Sequence, residues 1–159
     1  MAAMLMAINI VLSSFSLPVP GGHIYLNDII IVAASIILSP VYAFVAGGVG
    51  AFLGDFFFYP RAMLVSFVVR SIQSIVISVF SHYVMKKSPV GASAIGTGIG
   101  AVIMVLGYFF GKVYVYSTYV EAVAKLPFQI LQAVAGALIG FALCWKLGLK
   151  KTYESIANR

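Results

Sequence analysis

The chain has 159 residues, 62% hydrophobic and 9% charged, with a mean hydropathy of +1.08. A soluble domain runs at about 45–50% apolar and about 25% charged, so lipid is the solvent for most of this chain. Ten Lys and Arg against four Asp and Glu give a formal charge of +6, but the bases fall mostly in connecting segments, which argues for membrane topology and against nucleic-acid binding.

Breakers and polar residues divide the sequence into six apolar segments, read as an all-α integral membrane protein forming one domain over residues 1–159. Helix one covers about 1–15; lacking a basic n-region and an A-x-A site, it reads as a short membrane helix and not as a signal peptide. Pro18, Pro20, Gly21 and Gly22 break the chain. Helix two, about 27–38, is short for a crossing, hence tilted, broken or extended into Tyr25 and Leu26. Helix three, about 41–58, carries small residues every four positions, as in Ala43, Gly47 and Ala51, which lets backbones approach closely. Helices four, five and six are placed at about 62–85, 90–115 and 127–148, each long enough to span. Pairs such as Gly96/Gly100, Gly107/Gly111 and Gly136/Gly140 repeat the close-packing pattern.

Lys86, Lys87, Lys146, Lys150, Lys151 and Arg159 lie on one side of this arrangement, which places both termini in the cytoplasm. The opposite loops, residues 16–26, 59–61 and 116–126, hold only Arg61 and Lys125 as bases, with Tyr25, Tyr59, Tyr116 and Tyr119 fitting an interfacial aromatic belt.

Ionisable groups inside a membrane are costly and by default mark function. Asp28 opens helix two, Asp55 closes helix three, and Lys112 stands near the end of helix five. Arg70 lies about 12 Å into helix four at 1.5 Å per residue, with Gln73 on the same face, and Gln129 and Gln132 share a face of helix six. Five helices thus bring polar groups to one outer third, where independent accidents would scatter them. Aromatic residues including Phe56, Tyr59, Tyr108 and Tyr114 line the same level, so the pattern describes a polar cup for a small molecule. Simpler roles stand beside this one. Asn27 or Asp28 is suited to cap helix two, Asp55 and Arg70 to neutralise each other, Lys112 to snorkel, and the glutamines to join helices.

The sequence has no G-x-x-x-x-G-K-[ST] loop, no Ser/His/Asp or HExxH arrangement, and a single cysteine, Cys144, in an apolar run. Nucleotide hydrolysis in the P-loop manner, a thiolate metal cluster and an enzymatic role are disfavoured. No metal site or cofactor is expected in this chain.

The stretch VPGGHIYLNDIIIVAASIILSPVYAFVAGGVGAFLGDFFFYP, with VLGYFFGKVYVY and KLPFQILQAVAGALIG further on, resembles the substrate-binding S components of bacterial energy-coupling factor (ECF) vitamin transporters. The shared features are a Gly-Gly loop, a His23/Tyr25 pair, a helix-opening Asp28 after Asn27, a Gly-rich third helix and an Asp near its end. The likeness covers nearly the whole chain. It implies a multi-pass protein of the bacterial plasma membrane with a vitamin site near the extracellular surface, covered by the loop between helices one and two. The resemblance implies a ligand drawn from hydroxymethylpyrimidine, pyridoxine and riboflavin-like compounds. A compact neutral ring suits the few polar groups of the cup, which puts hydroxymethylpyrimidine first. Ala3 and Ala7, in AMLMA, match the small-residue face that contacts the transmembrane T component. Two ATPase subunits on that component would use ATP and Mg. Lys112 and Lys125 stand where relatives often carry acidic residues.

Overall fold

A computed structural model of the protein describes residues 1–20, 22–84 and 86–158. Gly21 of the Gly-Gly pair and Arg159 of the basic C-terminus lie outside the described residues. Helix α1 runs Ala2–Ser13. An antiparallel hairpin follows, strands β1 (Ser16–Val19) and β2 (Gly22–Tyr25), with Ser16 paired to Tyr25 and Val19 to Gly22. Helix α2 is Asp28–Ile37. Among the described residues, four helices are long and apolar enough to cross a membrane: α3 (Pro40–Phe58), α4 (Pro60–Val84), α5 (Pro89–Tyr116) and α6 (Tyr119–Trp145). A short helix α7, Leu149–Ala157, ends the fold. At 12 and 10 residues, α1 and α2 are apolar but shorter than a full crossing.

Three differences from the sequence reading have physical causes. The loop expected at 16–26 pairs with itself as a hairpin. Helix six begins at Tyr119, not near 127, because Thr118 caps its start and Pro127 is carried inside the helix; membrane helices tolerate proline where neighbours re-satisfy the freed carbonyl. Lys125 therefore sits on a helix and not in a loop. The third difference is α7, whose start turns on Gly148 at φ +70°, a left-handed conformation that favours glycine.

The bundle is built on small-residue contacts. Helix α4 packs against α2, α3 and α5, while α6 lies against α2 and α5, and α1 against α3. A Cβ on Gly107 would stand 2.6 Å from Val69, and one on Gly140 2.8 Å from the Val32 Cβ, so each glycine admits a neighbouring helix. One core cluster joins Val32, Ala33, Ile36, Ile37, Ile77 and Cys144, with Tyr153 of α7 packed against it. The Cys144 thiol points to the Ala33 carbonyl at 3.5 Å. Leu64, Val102, Leu131 and Leu138 remain exposed, an apolar exterior suited to lipid.

Among the described residues, three stretches are π-helical: Phe44–Val49, Phe80–Val84 and Lys112–Tyr116. Widened turns of this kind loosen the backbone ladder and often occur at functional positions. In the first of them, the buried Asn9 side chain of α1 donates to the Ala46 carbonyl at 2.9 Å, tying α1 to the middle of α3. In the last, Lys112 and Tyr116 come to one face, with the ammonium 5.7 Å from the ring centre.

Candidate ligand-binding site

At the hairpin end of the bundle, helices α2 to α6 converge on a buried polar network. Arg70, 2% exposed, is ion-paired with Asp28. Its Nη1 donates to Gln73 Oε1 at 2.9 Å and its Nε to the Tyr108 hydroxyl at 3.2 Å. Gln132 donates to the other oxygen of Asp28 and accepts from the Tyr25 backbone N–H at 3.3 Å. The Tyr108 hydroxyl donates to Ser66 Oγ at 2.7 Å, and Ser66 in turn donates to Asp55. Such a chain satisfies the buried charges, which left alone would cost several kcal/mol each.

Close packing makes this geometry possible. A Cβ on Gly136 would stand 2.6 Å from the Asp28 Cβ, so the bare glycine of α6 lets α2 bring its carboxylate toward Arg70 and Gln132. Arg70 also stacks near the Tyr108 ring, 5.2 Å from its centre.

Two cavities flank the network. One is lined by His23, Tyr25, Asp55, Tyr59, Lys112 and Lys125 among others. The second is lined by Tyr25, Arg70, Met104, Tyr108, Lys125, Gln129 and Gln132. Tyr25, Tyr108 and Lys125 border both. Burial, and then the Asp55 carboxylate, push the Tyr25 hydroxyl well above its ordinary value, which keeps it a neutral hydrogen-bonding group. The arrangement offers aromatic walls, hydrogen-bonding amides and fixed charge to a small planar molecule.

Of the residues singled out from sequence, Asp28, Arg70, Gln73, Tyr108 and Gln132 belong to one hydrogen-bonded network joined to Asp55 through Ser66. His23 and Lys112 line the first cavity and Gln129 the second. Arg70 takes Asp28 as its ion partner, correcting the pairing with Asp55, because Gly136 admits α2 to that depth. Asn27 is buried but turned away, its amide donating to Ser13 Oγ at 3.0 Å. It is the N-cap residue of α2 without a side-chain cap bond. Ala3 and Ala7 are exposed on α1.

Sequence reasoning placed Tyr59 among the aromatic residues at this level but missed Ser66, Tyr116 and Lys125 as lining residues. Lys125, Gln129 and Gln132 stand at i, i+4 and i+7, a polar stripe that extending the helix across Pro127 would have revealed. No comparable signal marked Ser66 among the other serines of α4.

The sequence profile of the family described as ECF-type riboflavin transporter, S component, matches residues 1–150. The chain belongs to that family. An uncharacterized protein from the gap 3′ region of Pyrococcus woesei is 32% identical over 139 residues, covering 86% of this chain and 91% of that protein. The ECF S component described here is therefore a multi-pass membrane protein and a vitamin-transporter subunit, and its family association is with a T component and ATPases, not with an enzymatic activity of its own.

Proposed function

We propose that this ECF S component captures a small heteroaromatic vitamin or vitamin precursor in the cavities beneath the hairpin. Hydroxymethylpyrimidine leads, with pyridoxine and riboflavin as the alternatives. The observation that carries the reading is the convergence of Asp28, Arg70, Gln73, Tyr108 and Gln132 from four helices beside two aromatic-walled cavities. A purely structural ion pair would need neither cavity.

In this reading α1 and α2 complete six membrane crossings, both termini are cytoplasmic and the hairpin end faces outward in a bacterial plasma membrane. Support comes from Lys86, Lys87, Lys146, Lys150 and Lys151, all remote from the hairpin in the chain's topology. The chain itself carries no cofactor; ATP and Mg act in two ATPase subunits bound to the T component. Ala3 and Ala7 form the docking face toward that component, since their side chains are small and exposed on α1.

Co-expression with an ECF T component and its two ATPases tests the assignment. The wild-type chain is expected to co-purify with all three. Ala3→Trp and Ala7→Trp are expected to abolish co-purification and uptake while radiolabelled-vitamin binding persists. Unchanged assembly in both variants would remove α1 as the docking face, and failure of the wild-type chain to recruit a T component would overturn the transporter reading itself.

A further inference from the structure

The polar groups of the second cavity are largely engaged with one another. Arg70 is paired with Asp28 and donates to Gln73 and Tyr108, and the Tyr108 hydroxyl donates to Ser66. Both ends of the Gln132 amide are used, on Asp28 and on the Tyr25 backbone. Lys125, one turn before Gln129 on α6, has its ammonium 5.9 Å from the centre of the Tyr25 ring. Gln129 is the exception. It is 2% exposed, and among the described residues that line this cavity its Oε1 is the buried side-chain atom with no hydrogen-bond partner.

The orientation of that amide is fixed by chemistry. Gln129 Nε2 donates to the Met104 carbonyl of α5 at 3.4 Å, and a carbonyl can only accept, so turning the amide over would set oxygen against oxygen. The end left to the cavity is therefore an acceptor. A buried acceptor without a donor costs its desolvation, whereas the same atom met by a donor gains a hydrogen bond in a water-poor site. A glutamine that only joined α6 to α5 would need its Nε2 and would gain nothing from a buried, unmet Oε1.

We propose that Gln129 is a specificity-determining residue, and that the ligand is a heteroaromatic compound with an N–H or O–H donor in the plane of its ring, given to Gln129 Oε1. This deepens the vitamin-capture reading and rests on it. Tyr25, Tyr108 and Met104 line the same cavity; when a flat ring lies against them, its edge, where in-plane donors sit, is what meets the amide. An analogue with only an apolar group at that edge displaces water from Oε1 without replacing its hydrogen bond. A site with a buried polar group left unpaired rejects such an analogue more strongly than an apolar pocket rejects a missing methyl group. The donors in question are the ring amino group of hydroxymethylpyrimidine, the ring hydroxyl of pyridoxine and the imide N–H of riboflavin.

Matched pairs test this by equilibrium binding to the purified full chain in detergent. Hydroxymethylpyrimidine is set against the analogue with methyl in place of the ring amino group, pyridoxine against 3-deoxypyridoxine, and riboflavin against 3-methylriboflavin. In the pair that binds, the donor-bearing member is expected to be about tenfold tighter or better. Gln129→Met and Gln129→Leu are expected to bring that ratio to within about twofold, by weakening the donor-bearing probe. Equal affinities within every pair that binds the wild-type chain would overturn the proposal and leave the capture reading standing. So would a ratio that survives both substitutions, the result expected of a glutamine that merely joins helices. Binding of none of the donor-bearing probes, by a chain that unfolds cooperatively, would overturn the proposal and the vitamin-capture reading together. The wild-type ratios need no variant, and two substitutions of different shape keep one misfolded protein from deciding the rest.

Discussion

Helix α4 carries two kinds of polar residue, and the contrast between them separates recognition from packing. Ser66 and Arg70 reach side chains on other helices, joining Asp55, Tyr108 and Asp28 in one network, and Gln73 accepts from Arg70 within α4. Ser71, Ser74 and Ser78 instead meet backbone. Ser71 and Ser74 lie against Gly48 and Gly47 of α3, and Ser78 donates to the Leu38 carbonyl at 2.6 Å, at the end of α2. The first set holds charge in place; the second consists of small side chains that let α3 approach. Hydropathy is blind to that difference, because a serine scores the same in either role.

The largest effect that would test this contrast is expected at Arg70. Arg70→Ala strands the Asp28 carboxylate in a buried site, which costs about 3–5 kcal/mol, so the unfolding midpoint in detergent should fall sharply and vitamin binding should be lost. Pairing it with Asp28→Asn should recover a substantial part of the stability, measured as a double-mutant cycle; no recovery would mean that Arg70 serves something other than its ion pair. Gly136→Val comes next. The added side chain collides with Asp28, and overpacking of this kind costs about 1–3 kcal/mol, with ligand affinity reduced because Asp28 is displaced from Arg70 and Gln132.

The packing serines should respond less. Ser78→Ala removes one buried hydrogen bond, about 1 kcal/mol, read from chemical unfolding, with affinity unchanged. Ser71→Ala should be smallest, within about 0.5 kcal/mol, since its buried hydroxyl has no hydrogen-bond partner among the described residues. A loss of affinity in Ser71→Ala comparable to that of Arg70→Ala would erase the division between the two sets.

Much of the architecture was readable from apolar length and punctuation. The third to fifth helices fall within a few residues of expectation, because Pro40, Pro60 and Pro89 mark their starts. The shared depth of Asp28, Arg70 and Gln132 was readable too, since ionisable residues are rare enough in such a chain for their positions to carry information. What escaped was whatever depended on a partner far away in sequence. Arg70 lies closer in sequence to Asp55 than to Asp28, and only the bare Gly136 on α6 explains the pairing that forms. Pro127 hid Lys125, because the usual rule that proline ends a helix does not hold for α6, which runs through it. Helix α7 was missed because its few apolar residues, Leu149, Tyr153 and Ile156, are too short a run to stand out beside the membrane segments.

The burial of Cys144 has a practical consequence for spectroscopy. It is the single thiol of the chain, 1% exposed and packed in the inner core, so maleimide and nitroxide reagents have no ready target in the native protein. A cysteine introduced at Leu17, which is 59% exposed on the hairpin, would carry the label alone. Distances from that position to a labelled T component are then measurable on an otherwise unaltered sequence, without first engineering a cysteine-free background.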